Sequence, residues 1–353
     1  MHVVVSAIFR PKRPDPKKTD RPALPRPAYL SEWTKMPIFA DDHVLFVKKK
    51  MAQMSKHRLK EWVAATRYWS FPVSSMPVIA TYTYLFSRGL LPIEWRSLAV
   101  FLLSVLGVVI LHAAGNLLSD WADFRSGVDN EQAFAVPNLV FGHFQPAEYL
   151  RMSIVLFVAG CVFGAGAVLL STPAVLWIGA AGVLLTILYS FLKYHALGDV
   201  DIFLIFGVLT VLGASAAATG NIVWDALVLS VPLGIITVSV LHANNTVDIE
   251  TDKAAGIKTF AMLIGAKASA LLYQIYMALP FACVLAAVFA GRLHPLSLLC
   301  LAAVILAWKN FVQAGQYGEK GLEAMKGLDQ GSAKLQLVFS GLLSLGLFIA
   351  GLL

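Results

Sequence analysis

Asn116-Leu-Leu-Ser-Asp120-Trp-Ala-Asp123 closes a long apolar run, and about 128 residues later the chain repeats the arrangement as Asn244-Asn-Thr-Val-Asp248-Ile-Glu-Thr-Asp252. On a helix the first set falls at i, i+4 and i+7 and the second at i, i+4 and i+8, so each trio lies along one face. Ionised groups at the end of an apolar helix are costly and need counter-charge. Two facing acidic stripes supply what a divalent-metal site needs, with Asp120, Asp123, Asp248 and Asp252 as its carboxylates and Asn116, Asn244 and Asn245 beside them.

Composition decides the solvent. Apolar residues make up 58% of 353 positions and charged residues 14%, too apolar for a water-soluble domain. Runs long enough to cross a bilayer as helices, roughly 20 residues each, fall near 69–87, 97–118, 151–171, 174–192, 201–219, 224–243, 269–291, 294–313 and 335–353. The expected fold is all-α, a polytopic membrane protein with about nine transmembrane helices. Cys161, Cys283 and Cys300 stand singly inside these runs with no metal spacing and read as packing residues.

Cationic residues set the orientation. With the N-terminus cytoplasmic, one set of connections carries Arg125, Arg151, Lys193, Lys253, Lys258, Lys267, Lys309, Lys320, Lys326 and Lys334, against Arg88, Arg96 and Arg292 on the other side. That asymmetry is the positive-inside pattern and points to a multi-pass protein of the cytoplasmic (inner) cell membrane. The formal charge of +7 is therefore no sign of nucleic-acid binding. Residues 1–54 are basic and proline-rich and are expected to be a disordered tail, leaving 55–353 as the membrane domain. The 124–148 connection is longer than packed helices require and is a candidate cap.

Both stripes close even-numbered spans, so both emerge on the same face as a parallel repeat offset by about four helices. An ion-transport site would instead lie near the midplane between inverted repeats. Four aspartates at one membrane face call for a cation, and magnesium bridges carboxylates to substrate phosphates. Two such ions would neutralise a leaving diphosphate, with the apolar bundle below holding a hydrocarbon tail. Tyr189 and Lys193, at the end of span four, and Arg67, ahead of span one, bring phenol and positive charge to the same side.

At these residues the sequence resembles the UbiA superfamily of intramembrane prenyltransferases, most closely its 1,4-dihydroxy-2-naphthoate (MenA-like) branch. The likeness runs from about Trp62 to the C-terminus. Asn116, Asp120 and Asp123, with Gly127 and Asp129 after them, match the first aspartate-rich motif. Asn244, Asn245, Asp248 and Asp252, with Gly256 and Thr259, match the second, and Tyr189 and Lys193 match the Tyr-to-Lys element. The resemblance implies nine helices around a central cavity capped on the cytoplasmic side. It also implies Mg2+-dependent transfer of a polyprenyl group from its diphosphate to an aromatic acceptor, the naphthoate of menaquinone biosynthesis first. A hydroxybenzoate, a homogentisate or a glycerol phosphate is the alternative acceptor.

The roles it implies are catalytic for Asp120, Asp248, Lys193 and Tyr189, metal-binding for Asp120, Asp123, Asp248 and Asp252, and substrate-binding for Asn116, Asn244, Asn245, Arg67 and Lys258. Lipid bilayer, donor and acceptor are the partners, with no nucleic acid. Two positions depart from the pattern. Val247 and the stretch Ala135-Val-Pro-Asn138 stand where the branch usually carries arginine, which removes positive charge near the substrates.

Overall fold

A series of long apolar helices, most joined by short turns, builds the protein in the computed structural model, which describes residues 59–91, 93–129 and 137–353. The expected disordered tail, 1–54, lies outside these residues, and so does the middle of the 124–148 connection. A seven-residue helix, Leu59–Ala65, comes first in the chain. The membrane unit, Ala65–Leu353, then runs α1 Pro72–Ser87, α2 Trp95–Ser126, α3 Pro146–Leu170, α4 Ala174–Lys193, α5 Gly198–Thr219, α6 Trp224–Val247, α7 Ala266–Phe289, α8 Pro295–Met325 and α9 Leu328–Leu352.

Eight of these, α2 to α9, are long and apolar enough to cross a bilayer among the described residues. The first expected span is the exception. α1 has 16 residues, about 24 Å at the helical rise, and a 3-10 turn, Tyr68–Ser70, lies just ahead of it. The last span starts earlier than its apolar run suggests, at Leu328, and its first turns meet α7, with Ser332 Oγ 2.7 Å from Tyr273 Oη. A helix closes every backbone hydrogen bond within itself, which is what lipid demands.

Burial ranks the helices. In α6 78% of the apolar window is buried, whereas in α4 only 6% is. α6 packs on α7, α9 and α5, making it the central post, while α2 pairs chiefly with α3, and α9 with α1 and α8. Exposed Leu169, Trp177, Phe289, Ile305 and Trp308 suit a lipid surface, where apolar side chains cost nothing.

α5 departs from regular geometry where it meets α6. Residues Phe203–Leu209 form a π-helical segment, and Gly207 and Gly234 face each other across the crossing. A Cβ at Gly234 would lie 2.8 Å from the Phe203 ring and 3.2 Å from Gly207 Cα. Only glycine permits this approach. The wider turn swings Ile205 and Phe206 toward the cavity described next, the kind of place where π-segments commonly occur.

Candidate active site

The first stripe lies wholly on α2, whose last helical residue is Ser126 and whose left-handed terminus is Gly127 at φ 79°. The second does not lie on one helix. α6 ends at Val247, Asp248 takes φ −89° and ψ 8°, and a separate helix Ile249–Ala255 carries Asp252. The backbone still bonds from Asp248 N to Asn244 O at 3.0 Å and from Asp252 N to Asp248 O at 2.8 Å. The i, i+4, i+8 face therefore survives the break.

The first stripe meets two cations. Arg67 Nη2 donates to Asp120 Oδ1 at 2.5 Å, and Lys193 Nζ to Asp123 Oδ2 at 3.1 Å. Arg67 reaches Asp120 from a left-handed conformation, φ 55°, that a non-glycine residue adopts at a cost. Ser70 steadies that turn by donating its N–H and its hydroxyl to Arg67 O at 2.8 and 2.7 Å. Asp120 in turn holds the guanidinium well above its usual range, against the opposing effect of burial.

The second stripe faces the same charges. Burial pushes the Asp252 carboxyl up to about 7, against the pull of Lys193, while Asp248 and Asp123 add repulsion. Asp248 is likewise raised by burial and opposed by Lys193 and Arg67. Asp129, just past α2, rises to about 8 through burial and then through Asp123 and Asp120. Carboxyls raised in this way are ones that a bound cation would ionise.

Below the charged rim lies a cavity of about 110 Å³. Arg67, Asn116, Tyr189 and Asn244 line it with His112 and the apolar Val73, Ile205, Phe206, Val240 and Leu241. Asp120, Asp123, Lys193, Asp248 and Asp252 are not among its walls. Asn116 donates to Thr66 O at 2.9 Å, which fixes its amide. Asn245 is buried but does not line the cavity. Lys258 is exposed, and its backbone pairs with the turn after α4: Ala196 N donates to Lys258 O at 2.8 Å and Lys258 N to Tyr194 O at 3.1 Å.

Two further residues join the site: Tyr194, the second phenol at the end of span four, and His112, one helical turn before Asn116. Tyr194 Oη donates to Asp123 Oδ1 at 2.5 Å, and burial raises its phenol further above its usual range. His112 sits between Ser70 and Ser74, with Nε2 and Nδ1 at 3.4 and 3.1 Å from their hydroxyls, a satisfied interior histidine.

The residues fit a hard divalent ion. Among the described residues no three His, Cys, Asp or Glu side chains converge as a ready-made cage. Magnesium does not need one, since it takes one or two carboxylates and completes its shell with water and substrate phosphate. The buried Oδ2 atoms of Asp129 and Asp252 have no hydrogen-bond partner and are free to serve.

An acidic stripe paired with two cations, a second acidic stripe beside it and a largely apolar cavity thus lie together in a helical membrane bundle. The chain belongs to the UbiA prenyltransferase family, whose sequence model matches residues 75–325, and it is a prenyltransferase. It is 35% identical over 241 residues to UbiA prenyltransferase domain-containing protein 1 of Gallus gallus, covering 65% of this chain and 70% of the relative. The fold matches the apo structure of a UbiA homolog from Aeropyrum pernix K1 at TM-score 0.60 and 21% identity, over 83% of this chain and 99% of that one. A UbiA homolog from Archaeoglobus fulgidus bound to GPP and Mg2+ matches at TM-score 0.60 and 12% identity, with the same coverage. The superfamily expectation is thus met, whereas the similarity to UbiA prenyltransferase domain-containing protein 1 does not single out the 1,4-dihydroxy-2-naphthoate branch.

Proposed function

We propose that the protein transfers a polyprenyl group from a polyprenyl diphosphate to an aromatic acceptor with the help of magnesium, 1,4-dihydroxy-2-naphthoate on the way to menaquinone being the acceptor favoured. The observation that carries this reading is the pairing of Arg67 with Asp120 and of Lys193 with Asp123 at the rim of a largely apolar cavity. Such a rim holds both charges a metal diphosphate needs, carboxylates for the cation and cations for the phosphate oxygens. Solved UbiA homologs bound to GPP and Mg2+ or to DMAPP and Mg2+ support the donor class.

Magnesium, held by Asp120, Asp123, Asp248 and Asp252, would neutralise the diphosphate as a leaving group. Arg67 and Lys193 would grip its remaining oxygens, and both side chains are mostly shielded from solvent, which strengthens that grip. Asn116 and Asn244 would orient the head group at the mouth, with Asn245 behind. Tyr189, on the cavity wall, presents a phenol and a π-face beside the allylic carbon, where positive charge develops. The apolar walls would keep water from that carbon. Lys258 would bring a further cation near the rim. The cationic loops favour the cytoplasm for this face.

Membranes containing the protein, incubated with a panel of polyprenyl diphosphates and aromatic acceptors, should yield a prenylated naphthoate by mass. A product from hydroxybenzoate or homogentisate alone would keep the reaction class and replace the acceptor. A prenylated glycerol phosphate would remove the aromatic acceptor.

A further inference from the structure

Lys193 and Tyr194, which hold Asp123 from two sides, stand at the end of α4 and the first residue beyond it, a poor place for a group that must be set to a fraction of an ångström. The turn that follows is fastened at three points. Its backbone pairs with Lys258 through Ala196 and Tyr194, as described above, with Ala196 at φ 62°. Gly198 packs so closely that a Cβ there would lie 3.2 Å from Lys193 Cα and 3.4 Å from Leu241 Cδ2 on α6. The third fastening joins a carboxylate to an imidazole: Asp199 Oδ2 lies 2.8 Å from His242 Nδ1, the histidine wholly buried in α6.

That pair is a costly way to join two helices. Asp199 Oδ1 and His242 Nε2 are buried with no hydrogen-bond partner, and unsatisfied buried groups are destabilising. Apolar packing would hold the two helices as well or better. What a directional pair adds is register, since an imidazole and a carboxylate meet in one geometry and a leucine pair slides. His242 is one helical turn before Asn245 and Thr246, and Thr246 Oγ1 donates back to His242 O at 2.6 Å. The pair therefore ties the Lys193–Tyr194 turn directly to the helix that leads into the second stripe.

We propose that Asp199 and His242 are positioning residues whose buried pair fixes Lys193 and Tyr194 against the two acidic stripes, so that the donor diphosphate meets a preset lysine. The proposal rests on the reading that Lys193 serves the diphosphate. Breaking the pair leaves Lys193 chemically intact and misplaced, and misplacing a reacting group by about 1 Å can cost about 100-fold.

The test uses the full chain in detergent with magnesium, reading geranyl diphosphate binding by calorimetry, diphosphate release, and thermal unfolding. Lys193→Met should weaken binding. Asp199→Leu should weaken binding and release by a similar factor, and Asp199→Leu combined with Lys193→Met should be no worse than Lys193→Met alone, because the first acts through the second. Asp199→Asn keeps the shape and a hydrogen bond to the imidazole, so it should retain most of the binding. Should the leucine variant fail to fold, His242→Gln is read in its place. Wild-type binding in the pair-breaking variant, or losses that multiply in the double variant, would overturn the proposal while leaving the diphosphate reading intact. Wild-type binding by Lys193→Met would remove that reading and the proposal with it.

Discussion

Asp120 and Asp248 occupy the middle of their stripes, and their environments differ. Asp120 is 2% exposed and paired with Arg67, while Asp248 sits at the break between two helices. Asparagine keeps the shape of either side chain and removes the charge. Asp120→Asn or Asp248→Asn should each lower turnover by about 100-fold or more, the scale for losing one charge-stabilising group, and chelator-treated wild-type membranes should lose activity and regain it with magnesium. Full activity after chelation would refute the metal reading. Val247, one residue before Asp248, is half-buried and offers no charge to a carboxylate or phosphate, whereas arginine could fork onto either. If missing charge limits the head-group end, Val247→Arg should raise turnover with 1,4-dihydroxy-2-naphthoate and leave donor chain-length preference unchanged. An efficient wild type unimproved by the change would show the arginine dispensable here. The stripes themselves were legible because helical spacing is arithmetic. What spacing did not give was the bond of Tyr194 to Asp123, 71 positions away, or the pairing of Asp199 with His242, 43 positions apart.

Helices were easier to read than their ends. Apolar runs mark where a helix is in lipid, and polar turns that stay helical beyond it escape notice: α2 continues through both aspartates to Ser126. The break at Asp248 was hidden for the opposite reason, because its backbone hydrogen bonds continue the helical pattern. Between the last two apolar runs, residues 315–333 hold the short helices Tyr317–Lys320 and Gly321–Met325 and the start of α9. Nothing in the apolar periodicity announced the π-segment of α5 either, which is a matter of how closely Gly207 meets Gly234. Gly234→Val should therefore destabilise the bundle by about 1–3 kcal/mol, the usual cost of overpacking, seen as a lower unfolding temperature in detergent. Gly179→Val on α4, where a side chain meets nothing within 4 Å, should have little effect. Equal behaviour of the two would contradict the close crossing.

At the scale of the molecule, α2 and α6 bring their acidic ends to one rim, as a parallel repeat requires. Nine crossings from a cytoplasmic N-terminus would leave Leu353 on the far side. In a chain with Cys161, Cys283 and Cys300 replaced by alanine, cysteines placed at Ser126 and Lys253 should react only with reagent from the cytoplasm, and one at Arg292 only from outside. The reverse pattern would invert the proposed orientation. The uneven burial of the helices has one more consequence. α4 carries Tyr189 and Lys193, yet it is the helix least covered by protein, so bilayer thickness acts on it with little resistance. Its 20 residues span about 30 Å, close to the hydrocarbon core. Shorter acyl chains would tilt α4 to hide its apolar length against a cytoplasmic end fastened through the turn at Gly198 and Asp199, loading the Lys193–Asp123 contact, so turnover in reconstituted vesicles should peak at an intermediate chain length and fall on either side, making the membrane itself a tuning element of the enzyme.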